Sequence, residues 1–459
     1  MGSRAIIAIV CLLWLSIYGD AATITAGTAD GMEKWGYVEV RPKANLFWWY
    51  YKSPQRVSSP EKPWPTILWL QGGPGGSGVG QGNFLEIGPL DVDQNPRNST
   101  WLQKADLIFV DSPVGVGYSY VEDPSALAKT DSQAAEDLMD LLKALSEEIM
   151  NLQTSPLFLV GESYGGKFAA LAGVSMARAL QAGALKLTLG GVVLGDSWIS
   201  PDDFALSYPW LLQAMSRLDD NAVGKAITMA LTVKKQIAAG QFAAAQQTWT
   251  NQLDLINSRS GRVNIENILI DNTMSSVAGS SQATMSSPNT ISDIMNGIIK
   301  EKLQIIPKGV IWQEASLQVF DALSNDFMKP AINEVDELLS YGVNVTVYNG
   351  QRLFHIRKSI YIAKLTAHVL FKARHHLPNT RRRSMGEEAE VRWHGLRNFL
   401  SLPRKTLHYC HPYYLTNAFV RAYKNLNFYW VLGAGHAVPV DQPCTALHMI
   451  SSVVQSPDN

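Results

Sequence analysis

Cysteine is almost absent from this chain of 459 residues: there are three, and Cys11 lies in an N-terminal apolar run. That leaves Cys410 and Cys444, so one disulfide and two free thiols both stay open, and a disulfide-dense scaffold is excluded. Histidine is missing from the whole chain before residue 355, although nine occur from that residue onward. Cys and His so few and so late give no convincing metal cluster, and no metal or cofactor is expected. Any histidine base must come from the last quarter of the chain. Net charge is lacking too: 39 Lys and Arg meet 40 Asp and Glu, which excludes the electrostatic footprint of a nucleic-acid binder. One stretch, 352–385, lacks acids altogether while holding nine Lys and Arg.

Long apolar runs are confined to the N-terminus. Arg4 precedes the run Ala5 to Tyr18, and Gly19, Ala21 and Ala22 follow it as small residues. The run is shorter than the roughly 20 residues a spanning helix needs. Residues 1–22 therefore read as a secretion signal, and the mature chain as soluble, with no membrane partner. In that compartment Asn98-Ser99-Thr100 and Asn344-Val345-Thr346 are glycosylation acceptors.

What is present is an alternation. Aromatic-rich residues 35–51 predict two strands, and Thr66–Leu70, Leu107–Val110, Pro156–Val160 and Val192–Leu194 predict more. Leu138, Leu141, Leu142 and Leu145 recur at helical spacing within 131–150, with Asp131 or Ser132 as cap, and Lys167–Leu180 reads as a second helix. Strands alternating with helices imply a mostly parallel sheet covered on both faces. From Pro201 the rhythm becomes helical, and 273–293 reads as an exposed loop. The organisation expected is a core over 23–200 and 311–459, interrupted by a helical cap over 201–310.

The chemistry lies in three places. Gly161-Glu162-Ser163-Tyr164-Gly165-Gly166 falls between an apolar strand and a helix, the context in which G-x-S-x-G lifts a serine hydroxyl above a sheet edge. Ser163 is the candidate nucleophile. A serine needs a base, and His436 in Gly433-Ala434-Gly435-His436 follows the apolar strand Phe428–Leu432. Gln71-Gly72-Gly73-Pro74-Gly75-Gly76 follows the strand Thr66–Leu70 and lacks the Lys of a phosphate loop; it suits an oxyanion hole built from the N–H groups of Gly73 and Tyr164.

Taken together, Trp69 to Gly76, Asp111-Ser112-Pro113-Val114-Gly115-Val116-Gly117-Tyr118-Ser119, Gly161 to Gly166 and Gly433 to Pro439 resemble the serine carboxypeptidase family. Gln71 and Gly195-Asp196-Ser197-Trp198-Ile199 resemble its retinoid-inducible and plant-like branch. The resemblance implies an α/β-hydrolase fold with an inserted helical cap, and release of C-terminal residues from peptides through an acyl-enzyme. It also implies that Trp69, Gln71 and Glu162 grip the substrate's terminal carboxylate. A Glu facing a carboxylate must be protonated, so an acidic optimum is expected, which points beyond secretion to a vacuole or lysosome. Some members of the family transfer acyl groups from sugar esters instead, so a small acyl substrate stays open beside a peptide.

One departure stands against this. The family's third triad member is an Asp after the strand Asn344–Tyr348. Here the chain reads Tyr348-Asn349-Gly350-Gln351-Arg352-Leu353, with Leu353 at the Asp position, and enters the acid-free segment. Family-like sequence resumes near Gly386. Three readings are open: a mis-joined exon, a non-catalytic binding protein, or an enzyme with a substitute acid such as Glu387 or Glu388.

Overall fold

The computed structural model describes residues 23–272 except 58 and 60, then 290–351, 402–410 and 415–456. The signal, the basic segment with Leu353, and Glu387 and Glu388 lie outside the described residues.

Among the described residues twelve strands form one mixed sheet: β1 (Thr23–Gly27), β2 (Glu33–Arg41), β3 (Ala44–Tyr51), β4 (Thr66–Leu70), β5 (Asp106–Asp111), β6 (Tyr120–Val121), β7 (Pro156–Glu162), β8 (Thr188–Gly195), β9 (Val345–Gly350), β10 (Lys405–Leu407), β11 (Ala418–Tyr423) and β12 (Leu426–Val431). Their order is β1-β2-β3-β5-β4-β7-β8-β9-β12-β11-β10, with β6 beside β3. The central run from β5 through β4, β7, β8 and β9 to β12 is parallel, and the edges are antiparallel. The central strands are buried along nearly their whole length because helices cover both faces, as parallel strands require. On one face α1 (Asp131–Glu148), α2 (Tyr164–Gln181) and the helix Ile332–Ser340 bury Leu138, Leu142, Phe168 and Leu338. On the other, Trp35, Trp49, Trp69 and Phe109 pack with Met449 and Ile450 of the C-terminal helix Pro443–Val454.

Helices α3 (Pro201–Ala214), α4 (Asp220–Ala238) and α5 (Phe242–Arg259) lie between β8 and β9 in the chain. Gln252 is buried among them, and its amide donates to the carbonyls of Ala205 and Ala226. Two expectations need correcting. Thr130, not Asp131 or Ser132, caps α1, accepting from Gln133 N, because its extended backbone leaves the hydroxyl facing the free N–H groups. Residues 291–293 of the expected loop 273–293 instead belong to a helix, Ile291–Ile294, started by a capping box of Thr290 and Asp293, and 273–289 lie outside the described residues. Cys410 and Cys444 are disulfide-bonded, joining the stretch after β10 to the C-terminal helix.

Candidate active site

The apolar residues Leu157–Val160 hold β7 between β4 and β8 and so deliver Ser163 to the carboxyl edge of the sheet. There the chain turns at once into α2, with Ser163 at φ 57° and ψ −125°, a conformation that costs a non-glycine residue about 1–3 kcal/mol. The turn is so tight that a Cβ on Gly161 would collide with the Gly165 carbonyl, and one on Gly165 with that of Leu70. Three hydrogen bonds hold the strained residue. Ser163 N donates to the Gly195 carbonyl at 2.9 Å, and the Ser163 carbonyl accepts from Trp198 N at 2.8 Å and Gly166 N at 3.2 Å.

Tyr164 opens α2, where the first N–H groups have no partner within the helix. Its ring is pinned from below. The Tyr164 hydroxyl donates to Asp131 at 2.8 Å, and the buried Lys167 ammonium pairs with the other oxygen of Asp131 at 2.7 Å. Across the turn, Gly73 sits at φ 118° in the loop after β4, which closes through Gly76 N donating to the Gly72 carbonyl at 2.8 Å.

Beside Ser163 lies a buried carboxyl pair. The Gln71 amide donates to Glu86 at 3.0 Å and to Glu162 at 3.3 Å, while its oxygen accepts from the Trp69 indole at 2.7 Å. Burial raises both acids, Glu86 to about 7 and Glu162 further, because Glu162 also faces the charges of Glu86, Asp196 and Glu266. Two carboxyls in one dry site retain a shared proton. The interaction between them raises Glu162 and lowers Glu86, so the shared proton favours Glu162.

His436 stands on the loop between β12 and the C-terminal helix. Burial lowers its pKa, and the charge of Glu266 acts in the opposite direction. Its Nδ1 is buried and has no hydrogen-bond partner among the described residues. Asp196, at the end of β8, is committed elsewhere: it accepts from the Asn349 amide at 2.7 Å and from Gly350 N at 3.0 Å, tying the ends of β8 and β9 together.

Ser163, His436, Gln71, Gly73, Glu86, Glu162 and Glu266 line one cleft of about 710 Å³. Trp69 stands behind Gln71 and Tyr164 behind Ser163. The sequence of residues 25–456 matches the family model for serine carboxypeptidases. The chain belongs to the serine carboxypeptidase family. Its sequence is 46% identical to serine carboxypeptidase-like 51 of Arabidopsis thaliana, over 98% of each chain. It is 41% identical to the human retinoid-inducible serine carboxypeptidase, over 95% of this chain and 94% of that one. A prohormone-processing carboxypeptidase from Saccharomyces cerevisiae shares the fold, with a TM-score of 0.70 at 19% identity, covering 95% of this chain and 92% of that structure. This member thus has the α/β-hydrolase fold and the serine carboxypeptidase character of its family.

Sequence reasoning missed Glu86 and Glu266. Glu86 had a readable signal, a lone charge in the otherwise apolar and small run Asn83-Phe84-Leu85-Glu86-Ile87-Gly88. Glu266 had none, since its loop meets His436 only through the fold.

Proposed function

We propose that this serine carboxypeptidase releases C-terminal residues from peptides through an acyl-enzyme on Ser163. Ser163 Oγ attacks the scissile carbonyl carbon and passes its proton to His436. The N–H groups of Gly73 and Tyr164 stabilise the oxyanion. His436 then protonates the leaving amine, and water, activated by the same histidine, frees Ser163. Gln71, Glu86 and Glu162, backed by Trp69, receive the substrate's terminal carboxylate. The observation that carries the reading is the buried carboxyl pair Glu86 and Glu162 in the same cleft as the strained Ser163, since a protonated carboxyl there donates to an incoming carboxylate. The test is hydrolysis of a blocked dipeptide acid against its amide. Cleavage of the acid only, lost in Ser163→Ala, is expected; equal cleavage of both sinks the carboxylate assignment.

A second reading rests on His436, whose Nδ1 finds no partner among the described residues, in a chain with Leu353 at the family's Asp position. Loss of the orienting acid cost about 10⁴ in kcat in a well-studied serine protease. An impaired enzyme or a binding protein is the consequence if the chain is expressed as written. Sequencing the transcript from Tyr348 to Ala389 separates a mis-joined exon from a true variant.

In this reading residues 201–310 cap a core of 23–200 and 311–459. The chain enters the secretory pathway through residues 1–22. Asn98 and Asn344 are both exposed and suit glycan attachment. Among the described residues no helix is long and apolar enough to cross a membrane.

A further inference from the structure

The loop that follows α5 reaches back onto the histidine. Asn264 bends it: its side-chain oxygen accepts from Glu266 N at 2.7 Å and Asn267 N at 3.1 Å. The bend presents the Glu266 carbonyl to His436 N at 2.9 Å. Gly435 lies so close that a Cβ there would stand 2.6 Å from the same carbonyl oxygen. Asp441 closes the arrangement, accepting from Gly435 N at 2.6 Å and from the Asn267 amide at 3.5 Å. Asn264, Glu266 and Asn267 line the cleft together with Ser163 and His436.

We propose that Glu266 is a positioning residue for His436: its carbonyl fixes the histidine loop, and its carboxylate supplies the negative charge beside the imidazole. The idea rests on the Ser163–His436 reading above. The Glu266 side chain is exposed to the cleft, yet its charge reaches His436, Glu162 and Tyr208, three groups on different elements. Of the other titratable groups, Glu86, Glu162 and Asp441 line the same cleft as His436, while Asp196 at the end of β8 and Tyr208 on α3 lie outside that lining. Arg97 is the one Lys or Arg among the described cleft residues, and its guanidinium is spent on the Phe84, Gly88 and Leu90 carbonyls. An imidazolium formed during attack therefore meets negative charge, and Glu266 is the acid placed to respond.

The test is the rate at which a fluorophosphonate labels Ser163 in the full-length secreted protein, followed against pH. The probe has no terminal carboxylate, so the Gln71–Glu86–Glu162 grip does not enter. Glu266→Gln keeps the backbone bond to His436 and removes only the charge. We expect its labelling midpoint to move to lower pH and its plateau rate to fall about tenfold, short of the ~10⁴ lost with a hydrogen-bonded triad acid. Glu266→Asp should keep the wild-type midpoint. A lower plateau with an unmoved midpoint, or no change at all, overturns the proposal while leaving Ser163 and His436 in place. A wild-type protein that is not labelled overturns the catalytic reading, and this inference with it.

Discussion

Replacing Glu162 by glutamine tests the carboxylate grip at its centre. In the native site the Gln71 amide already serves Glu86 and Glu162, so on the proposed reading a bound terminal carboxylate depends on the proton that the pair shares. When that proton leaves, the ligand faces two buried carboxylates. A hydrogen bond to a charged group contributes about 1.5–3 kcal/mol, and each 1.4 kcal/mol is tenfold in affinity. The KM for a blocked dipeptide acid should therefore rise roughly 10- to 150-fold as pH passes through the range in which the pair loses its proton. The substituted amide would carry two N–H donors that do not titrate, one for Glu86 and one for the ligand. Glu162→Gln should then hold a nearly flat KM from acid to neutral pH, with kcat changed little. Steady-state rates on the dipeptide acid across pH give both quantities. A variant KM that climbs along the wild-type curve refutes the assignment of that proton to Glu162.

Other consequences are independent of substrate. Glu86 and Glu162 have folded-state pKa values above those of the unfolded chain, so between about 4.3 and about 7 the native state binds more protons. Stability is full below that window and falls as pH rises through it. Asp111, raised by burial to about 6, adds in the same direction, and denaturant midpoints of wild type and Glu86→Gln across that range show the slope and its reduction. Lys167→Met strands Asp131 without its buried partner and should cost about 3–5 kcal/mol. Adding Asp131→Asn should restore much of the loss, as a double-mutant cycle on chemical unfolding will show. Cys444→Ser opens a loop spanning a sequence separation of 34 and should lower stability by roughly 3–4 kcal/mol in non-reducing unfolding experiments.

The central sheet and the tight turn that carries Ser163 were legible because their signals are local. The strand before Ser163 is an unbroken apolar run, and the glycines around it are demanded by collisions with neighbouring carbonyls. Gln71 and Glu162 were reachable only through the family resemblance, because nothing within their own segments shows that β4 and β7 are neighbours. Glu86 and Glu266 were hidden for the same reason in stronger form. Each acts on a residue far away in the chain, and the approach is created by the packing of whole elements. The pairing of Cys410 with Cys444 was undecidable from spacing alone, since two late cysteines fit a bridge and two free thiols equally well.

The indole of Trp69 is one of at least seven tryptophans with fully buried side chains, out of 13 in the chain, and it is the one wired to Gln71. It also stands edge-on to Trp101, with ring centroids 5.6 Å apart. A ligand that draws the Gln71 side chain toward itself must loosen or tighten the bond to the indole N–H. The molecule thus carries its own optical gauge of site occupancy. Near-ultraviolet dichroism, which senses coupled indoles, offers a way to watch binding without a chromogenic substrate, even in a form of the protein that never turns over.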